Sequence, residues 1–120
     1  MVKNHRDLLV WQEGMALVKL VYQTTAAFPK EEVFGLTSQM RRAAVSVPSN
    51  VAEGAARNGR KEFLQFLGIA RGSLSELETQ VLIANDLNFI ADDKELLQKI
   101  DRLFKLMSGL IKSLQSEKEQ

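Results

Sequence analysis

Seven small or apolar side chains, Phe63, Leu67, Ala70, Leu74, Leu77, Val81 and Ala84, follow one another at a 4-3-4-3-4-3 spacing. A strand needs a period of two, so this run predicts a helix of about three heptads with a single apolar stripe. Such a stripe cannot be buried by its own helix. The chain must therefore supply other helices to cover it.

Three further segments meet that requirement. In the first, over about residues 8–27, Val10, Gly14, Leu17, Val21, Thr24 and Phe28 form one stripe and Trp11, Met15, Val18 and Tyr22 a second. A helix apolar on most sides predicts more than one apolar neighbour. Asp7 is its expected cap and Pro29 its stop. The second helix, about 36–57, opens after Gly35 with Thr37 or Ser38 as cap. The seven-residue stripe lies in the third, about 60–87, which opens near Asn58 or Gly59. The fourth, about 92–116, opens with Asp92 and Glu95 at capping-box spacing. Its stripe is Leu96, Ile100, Leu103, Met107, Leu110 and Leu114, widened by Leu97, Phe104 and Ile111. No segment alternates like a strand. Short connections make successive helices neighbours, so the expected fold is all-α: one domain over residues 1–120, an antiparallel up-down-up-down four-helix bundle.

The stretch "QMRRAAVSVPSNVAEGAAR", residues 39–57, interrupts this regular picture with Pro48. Within a helix a proline removes a backbone donor and clashes with the carbonyl four residues back, here that of Ala44, at about 3 kcal/mol. Either the helix ends near Val45 and another begins, or one helix continues with a kink and Ser46 or Ser49 helps satisfy the freed carbonyl. The small residues around Pro48, Gly54 among them, predict that another helix packs closely there. Gly68 and Gly72 lie one turn apart on the third helix. Facing the core they would admit a neighbouring helix, and facing outward they would mark a contact between copies.

Chemistry is hard to place on this chain. Without cysteine there is no thiolate nucleophile, disulfide or sulfur-ligated metal. His5, the only histidine, lies near the start with no residues nearby that would make a triad or metal cluster. No phosphate-loop, dinucleotide-binding, nucleophile-elbow or zinc-protease pattern occurs. Glu76 and Glu78 diverge by about 200° on a helix. The expectation is a protein that is no enzyme and takes no metal or cofactor. The start lacks a signal-peptide core and no apolar run approaches the ~20 residues of a membrane span, so a cytoplasmic protein with no membrane partner is expected.

Net charge is only +1, yet it is unevenly spread. Residues 41–71 carry six basic groups (Arg41, Arg42, Arg57, Arg60, Lys61, Arg71) against two acidic ones (Glu53, Glu62), while residues 72–120 carry six against nine. Arg60 and Arg71, eleven apart, fall within about 20° on one helix face and about 16 Å from each other. That suits two phosphates of RNA or DNA, bound through charge without reading sequence, and Arg41, Arg42, Arg57, Arg60 and Arg71 are the expected phosphate contacts. The competing reading makes the arginines structural, with Arg42 or Arg57 paired to Glu53, and the protein a scaffold for a polypeptide partner. A small-molecule site in the bundle core or a ring lumen has no support in the sequence.

Taken together, "LLVWQEGMALVKLVYQTTAAFP", "QMRRAAVSVPSNVAEGAAR" and "EFLQFLGIARGSLSELETQV" resemble the four-helix bundle proteins of the 23S rRNA-intervening sequence family. The likeness covers about residues 7–90, and the fourth helix fits by pattern alone. It implies a homopentameric bundle whose second helix continues, kinked, through Pro48. It also implies kinship with members encoded within bacterial large-subunit rRNA genes. A related group, the accessory proteins of diversity-generating retroelements, forms basic pentamers that bind nucleic acid and a reverse transcriptase. This chain, nearly neutral with an acidic C-terminal part, departs from them in charge. By position, Arg41, Arg42, Arg57 and Arg71 stand where the motif has arginine or another polar group.

Overall fold

The computed structural model describes residues 4–118. These form four α-helices: α1 (Leu9–Thr25), α2 (Leu36–Ala55), α3 (Arg60–Asp86) and α4 (Lys94–Lys118). Short 3-10 turns at His5–Asp7 and Lys30–Glu32 precede α1 and α2, and the described residues contain no strand. The particle is elongated, 51 × 22 × 19 Å.

All seven stripe residues of α3 are buried, and Phe63 retains 1% of its surface. Burying each large aliphatic or aromatic side chain contributes about 1.5–3 kcal/mol, so this stripe is the spine of the core. On α4 the buried row is Leu96, Ile100, Leu103, Met107, Ile111 and Leu114. Leu110, expected in that row, is only half-buried, because the stripe steps by four after Met107 and passes to Ile111. On α1 the buried positions are Val10, Gly14, Leu17, Val21 and Thr25. Thr25 replaces the expected Thr24 and satisfies its hydroxyl by donating to the Val21 carbonyl at 2.8 Å.

The helix ends correct several expected caps. Asp7 lies in the 3-10 turn, and Leu8 precedes α1 with no side-chain cap. Thr37 and Ser38 fall inside the first turn of α2, whose Leu36 N–H is instead bound by Glu32 Oε1 at 3.0 Å. A side chain at Gly35 would meet that same oxygen at 2.9 Å, so glycine there leaves room for the carboxylate. Asp92, two residues before α4, accepts the N–H of Lys94 at 3.0 Å and not that of Glu95, the expected box partner. The end of α3 is a Schellman turn: Asn88 has a left-handed φ of 64°, Phe89 N–H reaches the Ala84 carbonyl at 2.8 Å, and Asn88 N–H reaches that of Asn85 at 3.0 Å. Phe89 then rests against Phe28 beyond α1, with ring centroids 5.6 Å apart.

Pro48 is buried inside α2, which does not end there. The proline ring sits against Gly14 of α1, where an added Cβ would lie 3.3 Å from Pro48 Cβ. Six residues further on, Gly54 meets α3: a Cβ would lie 2.8 Å from Phe66 Cβ and 3.0 Å from Phe63 Cδ1. Two residues before the proline, the Ser46 hydroxyl bonds side chains and not the carbonyl of Ala44. Its Oγ lies 2.7 Å from Ser73 Oγ of α3 and accepts from Asn50 Nδ2 at 2.9 Å. Along α1, Gly14 meets Pro48 while Thr25 meets Arg41; along α3, Phe66 meets Gly54 while Ser73 meets Ser46. Partner numbers thus fall on one helix as they rise on the other. Glu13 of α1 pairs with Arg102 of α4, closing the circuit of helices.

Gly54→Ala is expected to lower stability by roughly 1–2 kcal/mol, since overpacking against two phenylalanines outweighs the ~1 kcal/mol that alanine gains in a helix. Urea denaturation followed by circular dichroism measures this. An unchanged midpoint would mean that α2 and α3 part without cost.

Candidate functional site

The sequence placed its candidates on two kinds of residue, arginines and glycines, and the fold distributes both. Arg41 lies in the first half of α2 and is half-buried. Its guanidinium stacks 4.4 Å from the centre of the Tyr22 ring. Its Nε–H donates to Thr25 Oγ1 at 2.9 Å, and Nη2 approaches the Tyr22 carbonyl at 3.5 Å. Arg57 lies just beyond the other end of α2, on the order of 24 Å away along the helix. It is exposed, pairs with Glu53 at 3.0 Å and Glu62 at 3.8 Å, and covers the Phe66 ring at 5.0 Å. Glu53 therefore takes Arg57, not Arg42, as its partner.

Arg42 is exposed on the outer side of α2. Arg60, half-buried, and Arg71, exposed, follow one line along α3. Ser73 and Phe66, which meet α2, lie more than about 100° from that line around α3, so the pair occupies the flank away from α2. Among the described residues none of Arg42, Arg60 and Arg71 has a carboxylate at ion-pair distance. The block 41–71 is thus not one patch. It resolves into a fixed Arg41, a neutralised Arg57, a solvated Arg42, an exposed Lys61 and a two-residue row at Arg60 and Arg71.

The glycines divide in the same way. Gly54 faces α3, whereas Gly68 and Gly72 are exposed, with nothing within 4 Å of a Cβ added at either. They share the outward side of α3 with Ile69, Leu82 and Ile83, all exposed. Gly14, which the sequence reading treated only as part of a stripe, is the residue that lets α1 close over Pro48. Its signal was available: a glycine at a buried position of a helix otherwise filled with large side chains.

His5 lies in its 3-10 turn with its ring edge-on to Trp11, centroids 5.2 Å apart. Among the described residues no three His, Asp or Glu side chains converge as a metal ion would require. No helix among them is long and apolar enough to cross a membrane. What remains is an all-helical bundle whose distinctive features are close helix contacts at glycine, alanine and proline, together with an uncovered apolar surface. The family model for 23S rRNA-intervening sequence proteins matches residues 6–109, and the chain belongs to that family. No curated protein matches it.

With open space around them, Gly68→Ala and Gly72→Ala should each raise the stability of the isolated protomer by about 0.5–1 kcal/mol. Thermal or urea unfolding of dilute protein checks this, and a loss of stability in either variant would show that these positions are covered.

Proposed function

We propose that this chain is a non-enzymatic, homo-oligomeric bundle that in its assembled form holds RNA or DNA weakly and without sequence preference. In this reading the helices are antiparallel, up-down-up-down, with α2 kinked at Pro48. The opposed order of contacts between neighbouring helices supports that arrangement. Five protomers is the number implied by the family motifs, and the cytoplasm is the proposed setting.

The observation that carries the oligomer is apolar surface left open on a small domain. Trp11, Met15 and Val18 of α1 and Val45, Pro48 and Ala52 of α2 line a groove of about 360 Å³. Phe34, beside the start of α2, is 94% exposed. Contiguous apolar surface rimmed by polar residues marks an interaction site. The second stripe on α1, only partly covered within the protomer, is then buried between protomers.

Nucleic acid follows from Arg42, Arg60 and Arg71, whose charge is not neutralised by an ion pair. Three such groups per protomer give modest attraction alone and a much larger field when repeated by symmetry. The scaffold reading, in which a polypeptide is the partner, is favoured at two positions. Arg41 and Arg57 are both engaged within the protomer, as structural arginines would be.

Light scattering of the wild type, Val45→Asp and Arg42→Ala tests both parts. Val45→Asp is expected to dissociate the assembly while keeping its helical circular dichroism. Arg42→Ala is expected to keep the wild-type mass and to shift stability by no more than about 0.5 kcal/mol. Binding to an rRNA-like duplex should weaken as salt rises, with a shallower slope for Arg42→Ala. Affinity indifferent to salt, or absent at low salt, removes nucleic acid and leaves the scaffold.

A further inference from the structure

At the end of the bundle where α1 gives way to α2, a cavity of about 390 Å³ opens beside Arg41. That volume lies in the lower part of the range typical of small-molecule sites. Its apolar wall is Ala26, Phe28, Pro29 and Val33, and its polar wall is Thr25, Thr37 and Arg41, with Lys30 at the exposed rim. We propose that this cavity binds a small monocarboxylate with an apolar body, the carboxylate meeting the guanidinium of Arg41 and the body lying against Phe28 and Val33.

Three features of Arg41 argue for a ligand rather than a solvated charge. First, it is held in place. The Thr25 hydroxyl donates to the Val21 carbonyl at 2.8 Å, which leaves its oxygen to accept the Arg41 Nε–H at 2.9 Å, while the Tyr22 ring supports the guanidinium face at 4.4 Å. A guanidinium fixed before binding loses little freedom when a partner arrives. Second, it is not neutralised: among the described residues no carboxylate lies at ion-pair distance from it. Glu32, in the turn between α1 and α2, is committed to the Leu36 N–H. Third, the anchoring contacts use Nε and one hydrogen of Nη2, so the outer edge of the fork, formed by both Nη atoms, remains available for two parallel hydrogen bonds.

The rest of the lining selects among anions. One fixed positive charge against a largely apolar wall matches a single negative charge joined to a hydrocarbon. A phosphate would bring more charge than the one fixed guanidinium meets, with Lys30 free in solvent as the remaining help. The same chemistry could come from a free acid or from the terminal carboxylate of a peptide ending in an apolar residue.

Proton–nitrogen correlation spectra of the full chain, titrated with 3-phenylpropionate, test this. Saturable shifts are expected at residues 25–41, with the affinity of so small a fragment about millimolar. The neutral 3-phenylpropanamide should bind at least about tenfold more weakly, as loss of a charge-assisted pair requires. Arg41→Gln should lose binding to a similar degree. Because that change also removes a contact to Thr25, Ala26→Trp serves as a second variant: it fills the apolar half, leaves the arginine intact and should likewise abolish binding. A peptide ending in phenylalanine separates the two sources. Tighter binding than the free acid, lost on amidating its terminus, assigns the site to chain ends, and weaker binding assigns it to small acids. Equal binding of acid and amide, shifts away from residues 25–41, or no saturable shift overturns the proposal.

Discussion

The seam along α2 is the constraint on which the bundle rests. At Gly14 and Pro48 the α1 backbone comes against a proline ring, and at Gly54 the α3 side chains Phe63 and Phe66 come against bare backbone. A proline within a helix forfeits a hydrogen bond and strains a carbonyl, so the position survives because packing around it is dense. Small residues on both sides of the proline permit that density. Beside the proline, Ser46 joins α2 to α3 through the Ser73 hydroxyl, and Asn50 braces Ser46 from within α2.

Close approach along one seam has a consequence elsewhere. With α2 drawn tightly to α3 and to the Gly14 side of α1, the second stripe of α1 is only partly covered. Met15 and Tyr22 are exposed, and Trp11 and Val18 are half-buried beside Val45. The outward glycines of α3 lie among Ile69, Leu82 and Ile83 in a similarly open setting. The chain therefore has one well-filled core, from Val10 to Leu114, and apolar side chains left exposed outside it.

The arginines show how burial turns like residues to different uses. Arg57 at the surface is matched by two carboxylates, in a pair that solvent screens and that contributes little to stability. Arg41, sixteen positions earlier, is gripped by an aromatic ring and a threonine and opens on a cavity. Adjacent Arg42 shares neither environment, because one helical step turns it by about 100° into solvent. Basic residues gathered in one part of the chain thus stand in separate environments in space.

Several elements were legible in the residues alone. The α3 stripe is buried at every position because an unbroken 4-3 repeat leaves a helix no other face to bury, and the motif around Pro48 marked the family that the match over residues 6–109 shows. Less legible were Thr25 against Thr24 and Ile111 against Leu110, since each choice depends on which neighbour a helix flank meets. The caps from Glu32 and Asn88 were likewise hidden, being settled by loop geometry that no period encodes. The sequence by itself determined the four helices, the stripes that join them and the need for small residues near Pro48, because these follow from periodicity and local sterics. Only the tertiary structure decided which arginine is held, which is neutralised and which is free, because a ring and a hydroxyl from α1 grip Arg41, and Glu62 of α3 joins Glu53 on Arg57 while Arg42 meets no carboxylate among the described residues.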